Sequence, residues 1–173
     1  MNSPHTDPLA FERLFREHYA SVARYVARRL PRESRDDVVA ATFVVAWRKF
    51  DLVEGPNLLW LYRIAGYEVA HERRRLARHP QREILGDLEL TDSLPLEEVI
   101  DLAFAFTQLS EEDADLLRMI HWDQLDRSDA AELLGCTVNT LNVRYHRAKD
   151  RLATAIRSSH AVVERPENSK EKK

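Results

Sequence analysis

The sequence predicts an all-α protein made of two small helical domains joined by an acidic flexible linker. Apolar residues recur at helical spacing along most of the chain, no segment alternates as a strand does, and Pro80 and Pro95 bracket an acidic stretch without periodicity. The 173 residues suffice for two small domains. The expected divisions are an N-terminal tail over 1–8, domains over 9–79 and 96–157, a linker over 80–95, and a polar, disordered tail over 158–173.

Composition restricts the class of protein. The chain carries 26 Lys and Arg against 29 Asp and Glu, so its net charge is −3. The single cysteine, Cys136, cannot form an internal disulfide, which excludes a secreted disulfide scaffold. No apolar run approaches the roughly 20 residues of a membrane span, and the polar N-terminus lacks the features of a signal peptide. We therefore expect a cytoplasmic protein.

The charges are segregated along the chain. Residues 9–82 carry 15 basic and 9 acidic residues, whereas residues 83–117 carry 11 acids and no Lys or Arg. Basic residues again outnumber acidic ones over 118–157. Two basic regions that flank an acidic one are typical of a nucleic-acid binder with a solvating linker, although solvated helix faces alone would give similar blocks.

Seven helices are expected, three in the N-terminal unit and four in the C-terminal unit. Polar residues and prolines before the periodic apolar runs indicate where each helix begins. The predicted starts are Asp7-Pro8, Ser34 with Asp37 as a capping box, Asn57, Pro95, Ser110, Ser128 and Thr137.

Residues 128–157 have the pattern of a helix-turn-helix: a short helix, a turn at Gly135 and a longer helix. One stripe of the longer helix is expected to be buried, namely Val138, Leu141, Tyr145, Ala148, Leu152 and Ile156. Arg, Asn and an aliphatic group opposite that stripe suit guanine, adenine and the thymine methyl, whereas a solvated helical hairpin is the alternative. The outward face and its flanks comprise Asn139, Thr140, Asn142, Val143, Arg144, His146, Arg147 and Asp150.

The third helix combines aromatic residues with arginines. We interpret Trp60, Tyr62 and Tyr67 as exposed aromatics interleaved with a basic cluster, which suits single-stranded or melting DNA. The alternative is that the aromatics belong to the core and that the arginines are favoured by the helix dipole. The residues alone leave both open.

No catalytic residue, metal site or cofactor is predicted. The seven His show no HExxH pattern and no paired metal spacing, and the chain has no Gly-rich phosphate loop. Cys136 has no base near it in sequence, so a small turn residue is the favoured interpretation.

One known family shows the same order and spacing of four stretches: FERLFREHYASVARYVARRL, DDVVAATFVVAWRKFD, WLYRIAGYEVAHERRRLAR and residues 109–152. Over residues 9–157 the chain resembles the extracytoplasmic-function sigma factors, a compact group of bacterial RNA polymerase initiation factors. The first three stretches resemble the opening, polymerase-binding and promoter-melting helices of sigma region two. Residues 109–152 resemble region four.

The resemblance implies a factor that directs core polymerase to specific promoters and assists DNA melting, without catalysis of its own. The implied partners are core RNA polymerase, through its β′ clamp helices and β flap, double-stranded and melted promoter DNA, and an anti-sigma factor. It would associate with the nucleoid as part of the holoenzyme. The implied polymerase-binding residues are Asp36, Asp37, Val38, Phe43 and Trp47.

The resemblance also assigns promoter contacts. The turn Asp51–Pro56 and the start of the next helix would capture a flipped base of the minus-ten element. The implied minus-ten residues are Trp60, Tyr62, Arg63, Tyr67, His71, Arg74, Arg75 and Arg78. The implied minus-thirty-five residues are Thr137, Asn139, Thr140, Asn142, Val143, Arg144, His146 and Arg147.

The chain departs from the family at three places. Ala40-Ala41 replaces a common Gln-Glu, Gly66-Tyr67 replaces a common Arg-Asn, and Asn142 replaces a usual Lys or Arg, which should shift sequence preference. The alternative function is a helix-turn-helix regulator that binds operator DNA independently of polymerase. For a sigma factor, we expect the free chain to be autoinhibited or held by an inhibitor, and to bind DNA weakly.

Overall fold

The computed structural model describes residues 7–78 and 96–163. Within these ranges every regular element is helical, which confirms the predicted all-α class. A 3-10 turn, Phe50–Leu52, follows the second helix. The linker predicted over 80–95 and both ends of the chain lie outside the described residues. The helices are α1 Pro8–Ala27, α2 Arg32–Lys49, α3 Leu58–Arg78, α4 Leu96–Thr107, α5 Glu111–His121, α6 Arg127–Leu133 and α7 Val138–Val163.

Four of the predicted caps are confirmed, and one is wrong. The side chains of Asp7, Asn57, Ser110 and Thr137 each accept a hydrogen bond from a backbone N–H of the following helix, at 3.0–3.2 Å. The capping box at Ser34 does not form, because α2 begins earlier, directly after Pro31. Ser34 is buried and its hydroxyl donates to Glu72 Oε1 of α3 at 2.5 Å.

The N-terminal unit is a three-helix bundle of α1, α2 and α3. Val22, Val26 and Leu61 are fully buried at its centre. Tyr25 of α1 stacks on Tyr62 of α3 with ring centroids 4.7 Å apart. Gly66 permits this close approach, since a Cβ there would lie 3.3 Å from the Tyr25 hydroxyl.

The C-terminal unit packs α4 to α7 around Leu117, Leu141 and Ala148. Gly135 ends the turn after α6 with a φ of +61°, the conformation that glycine favours. The predicted stripe of α7 is wrong at Val138, the first residue of the helix, which is 42% exposed. Helix α7 also continues to Val163, beyond the predicted start of the tail. None of the described helices is both long and apolar enough to cross a membrane.

Glu72 makes the stability of the N-terminal unit dependent on pH. Hydrogen bonds from Arg75 lower the pKa of Glu72 to about 2; burial opposes this and Ser34 assists it. A lowered pKa means that the stabilisation is complete above the ordinary value of 4.5 and disappears as the pH falls towards 2. Glu72→Gln should therefore cost about 1–3 kcal/mol of unfolding free energy at pH 7 and progressively less upon acidification. Denaturant titrations of both proteins between pH 7 and 2 measure this difference, and a pH-independent cost would contradict it.

Candidate nucleic-acid interface

The N-terminal half of α7 presents a continuous polar face. Thr137, Asn139, Thr140, Arg144, His146 and Arg147 are all exposed, as is Val143 with 44% of its surface. Asn142 is half-buried, because its amide oxygen accepts a hydrogen bond from Arg127 Nη1 at 2.8 Å. Leu141, Tyr145 and Ala148 hold the opposite side of the helix in the core. The structure thus places all eight predicted minus-thirty-five residues on one accessible end of a rigid helix.

Helix α3 carries a second exposed stripe. Five predicted minus-ten residues recur at three- or four-residue intervals and lie on one side of this helix: Arg63, Tyr67, His71, Arg74 and Arg78. Tyr67 is 73% exposed, so its ring is accessible for stacking.

The remaining minus-ten residues lie elsewhere on α3. The expectation that Tyr62 is an exposed aromatic is wrong, since only 3% of it is exposed beside Tyr25. Burial raises its pKa to about 12, so the hydroxyl stays protonated. Trp60 is half-buried against the same core, and Arg75 is engaged by Glu72. Trp60 and Tyr62 therefore fit the alternative interpretation, in which the aromatic residues of α3 belong to the core.

Helix α2 exposes an acidic end and an apolar side. Asp36, Asp37 and Trp47 are exposed, whereas Val38 and Phe43 are each 6% exposed and belong to the core. Phe15 and Tyr19 of α1 pack over Phe43, with ring centroids 4.7 and 5.9 Å away. Two residues that the sequence interpretation missed complete the exposed side, Ala40 and the 48% exposed Val44. Successive intervals of three, four and three residues from Asp37 through Ala40 and Val44 to Trp47 were the available signal. We call Asp36, Asp37, Ala40, Val44 and Trp47 the α2 face.

A buried ion cluster joins the two units. Asp123, in the turn after α5, has a fully buried carboxylate that accepts from Arg28 at 3.0 Å and from Arg29 at 2.8 Å. Arg28 also donates to the carbonyl oxygen of Trp122 at 3.2 Å. The backbone of this turn is tight, since Gln124 adopts a φ of +56°. We define the interdomain cluster as Arg28, Arg29, Arg73, Asp115, Arg118 and Asp123.

Asp115 is the second anion of the cluster. Arg73 of α3 donates to its two oxygens at 2.8 and 3.3 Å, and Arg29 Nε lies 3.3 Å away. Burial alone would raise the pKa of Asp115, but Arg29, Arg73 and Arg118 outweigh it and hold that pKa below its ordinary value. Burial lowers the pKa of Arg118. The sequence interpretation missed this cluster, because 42 or more residues separate its interdomain partners.

A cleft of about 610 Å³ lies beside the cluster. Arg144 and Arg147 of α7 line it together with Arg73 of α3 and Glu111 of α5. Its volume is that of a small-molecule pocket, far too small for a DNA duplex. The edge of the polar face of α7 that lines this cleft is exposed to solvent, but a duplex does not fit against it in this conformation. Arg63 of the exposed α3 stripe also contacts Glu132 of α6 at 2.8 Å, which adds an ion pair between the two units.

Comparisons with known proteins agree with this architecture. The family model for sigma-70, region 4 matches residues 101–152, which include the whole predicted recognition surface. RNA polymerase sigma factor NccH of Alcaligenes xylosoxydans xylosoxydans is 26% identical over 88% of this chain and 90% of its own length. The ECF RNA polymerase sigma-E factor of Escherichia coli (strain K12) is 27% identical over 87% of this chain and 88% of its own.

Over most of its length the chain is similar to RNA polymerase sigma factors, including one of the extracytoplasmic-function type. Region four occupies its C-terminal unit, and the full-length relatives extend the match across the N-terminal unit. These matches favour a sigma factor over a polymerase-independent regulator.

Two solved structures share the fold of this chain. The sigma factor RpoE of Bartonella quintana, in complex with the anti-sigma factor NepR, superposes with a TM-score of 0.69 at 23% identity, covering 86% of this chain and 97% of that one. CnrH, in complex with the cytosolic domain of CnrY, gives a TM-score of 0.66 at 23% identity, covering 88% and 91%.

Proposed function

We propose that the chain is a sigma factor in which three separate surfaces divide the work of initiation. The α2 face binds core polymerase, the exposed stripe of α3 contacts the opening minus-ten element, and the N-terminal half of α7 reads the minus-thirty-five element. The division assigns residues 9–79 to region two and residues 96–157 to region four. The chain contributes binding and positioning, while the chemistry of RNA synthesis belongs to the polymerase. Its place of action is the bacterial cytoplasm, at the nucleoid when it is part of the holoenzyme.

The accessible polar face of α7 is the observation that carries this proposal. Its side chains offer Arg and Asn donors and a Val methyl at the N-terminal end of a helix held by Leu141 and Tyr145. Base edges in the major groove require these groups, and the groove admits one α-helix. The free N–H groups at the start of α7 add a site for a phosphate.

The α3 stripe suits melted DNA. Tyr67 supplies an exposed ring for a base, and Arg74 and Arg78 are exposed cations on the same side of the helix. Tyr62 and Trp60 support this stripe from the core rather than from the DNA side. In this division of roles Arg75 fixes α3 through Glu72, which is in turn bonded to Ser34 of α2.

A groove between α4 and the far half of α7 gives region four a surface for the polymerase. Its volume is about 1120 Å³, and Ile100 and Phe104 line it with 57% and 52% of their surfaces exposed. It opens near Thr154 and Ser158, several turns from the base-reading end of α7. A polymerase element such as the β flap is thus able to bind there while α7 lies in the major groove.

The closed arrangement of the two units should make the free chain bind DNA weakly. The interdomain cluster holds Arg73 against Asp115, and the Arg144 and Arg147 edge of α7 lines the adjoining cleft, which is too small for a duplex. Promoter binding therefore requires the units to separate. An anti-sigma factor that binds the closed form would maintain it, as a partner of the kind seen with RpoE and CnrH.

Arg147→Ala tests the role assigned to α7. The variant should lose about 1–3 kcal/mol of promoter binding and its preference at one base pair, because a guanidinium bonds bidentately to one base. Both losses are measured by the affinity of the holoenzyme for a set of promoters that contains every single-base substitution of the minus-thirty-five element. Arg157→Ala, at an exposed position ten residues along the same helix, is the matched control and should leave the preference intact. If Arg147→Ala left the base preference unchanged at every position, Arg147 would not be a base-contacting residue.

A further inference from the structure

Arg127, the first residue of α6, makes two contacts with α7. Its guanidinium carbon lies 3.8 Å from the centre of the Tyr145 ring. Its Nη1 donates to Asn142 Oδ1 at 2.8 Å. Tyr145 is buried, and its hydroxyl lies 2.9 Å from His121 Nε2, so the guanidinium rests on a fixed part of the core.

The contact determines how the amide of Asn142 is turned. A guanidinium can only donate hydrogen bonds, so the atom that it meets must be the amide oxygen. The Nδ2 group, with its two N–H donors, consequently points away from Arg127. An unrestrained Asn side chain offers either group to a base and loses rotational freedom on binding, whereas this one is already oriented.

We propose that Arg127 is a positioning residue that sets the base preference of Asn142. This inference rests on the proposed function of α7 in reading the minus-thirty-five element. With its oxygen engaged by Arg127, Asn142 presents N–H donors to acceptor atoms of a base edge. Guanine offers two such acceptors, O6 and N7, whereas the paired contact with adenine uses the amide oxygen as well. Asn142 therefore prefers guanine as long as Arg127 is in place.

The test compares holoenzymes that carry Arg127→Met, Asn142→Ala or both, on minus-thirty-five elements with each base at each position. Arg127→Met keeps a stem over the Tyr145 ring and removes the donors. Arg127→Met and Asn142→Ala should each reduce the preference for guanine about fivefold or more at the same position. The double variant should be no worse than Asn142→Ala. Lys149→Met, which removes a cation 5.5 Å from the same ring without touching Asn142, is the control and should leave the profile unchanged.

Asn142→Asp gives a second variant that does not depend on removing Arg127. Its carboxylate keeps an acceptor for Arg127 and eliminates both N–H donors, so the preference for guanine should disappear from a folded protein. Thermal unfolding of each variant verifies that region four remains intact.

Three outcomes would overturn the role of Arg127. Equal weakening of every sequence by Arg127→Met would make it a phosphate contact, and an altered preference at a different base pair would give it a base of its own. Additive effects in the double variant would show that the two residues act separately. If instead neither Asn142→Ala nor Arg147→Ala altered any preference, the proposed function of α7 would fail first.

Discussion

Asp123→Asn is expected to separate the two helical units while leaving each of them folded. The carboxylate of Asp123 is fully buried and is the shared partner of Arg28 and Arg29, which lie directly after α1. Removing one partner of a buried ion pair costs about 3–5 kcal/mol when the other charges stay buried. Opening the units returns both guanidinium groups to water and avoids that cost. The equilibrium should thus shift towards the open form by about a hundredfold or more.

Small-angle scattering and a pair of fluorophores on α2 and α7 would measure the separation. We expect a larger radius of gyration, a longer distance between the fluorophores and unchanged helical circular dichroism. Binding of the free variant to a minus-thirty-five duplex should become stronger, because the Arg147 edge of α7 no longer lines a cleft too small for a duplex. Glu132→Gln is the control. It breaks only the exposed pair with Arg63, which contributes about 1 kcal/mol or less. A variant that unfolds without opening, or that keeps the closed dimensions, would contradict this role of the cluster.

Val44→Glu is expected to abolish binding to core polymerase. Val44 lies at the centre of the α2 face with 48% of its surface exposed, so a longer polar side chain fits there without disturbing the bundle. At a docked interface the same carboxylate would be buried without a partner. Loss of a central apolar contact costs about 2–4 kcal/mol, or roughly 30- to 1000-fold in affinity.

Val143→Glu is the matched control for this prediction. It is the same substitution at an almost equally exposed position of α7. It should leave the affinity for core polymerase unchanged and weaken promoter recognition. Val44→Glu should weaken the binding of core polymerase and leave promoter recognition by the α7 face unchanged, when the two steps are assayed separately. Fluorescence titration with core polymerase measures the first quantity. Equal polymerase affinity for Val44→Glu and the unmodified chain would exclude the α2 face as the docking surface.

Features controlled by neighbours in the chain could be predicted from the sequence. Thr137 caps α7 and Gly135 takes the left-handed conformation, because both depend on residues within one turn. The polar face of α7 follows from the phase of Leu141 and Tyr145. Local patterns failed at Ser34, where the capping box competes with a hydrogen bond to Glu72, 38 residues away.

Features controlled by distant contacts could not be predicted. Tyr62 and Val38 have side chains that either surface or core would accept, and only packing against α1 and neighbouring helices buries them. The acids over 83–117 were interpreted as linker and solvated surface. Asp115 among them is instead held by three arginines, two of them on the other unit. No spacing rule connects such residues, so the closed arrangement becomes visible only in three dimensions.

Transcription reconstituted from this chain and bacterial core polymerase tests the sigma-factor function most directly. The chain should bind core polymerase, open promoter DNA around the minus-ten element, and start RNA synthesis at defined sites, with little footprint on DNA when polymerase is absent. Val44→Glu and Arg147→Ala should weaken the reaction at the polymerase and promoter steps, respectively. Tight, sequence-specific footprints without polymerase, together with no promoter-dependent transcription in its presence, would contradict the sigma-factor function and favour an independent DNA-binding regulator.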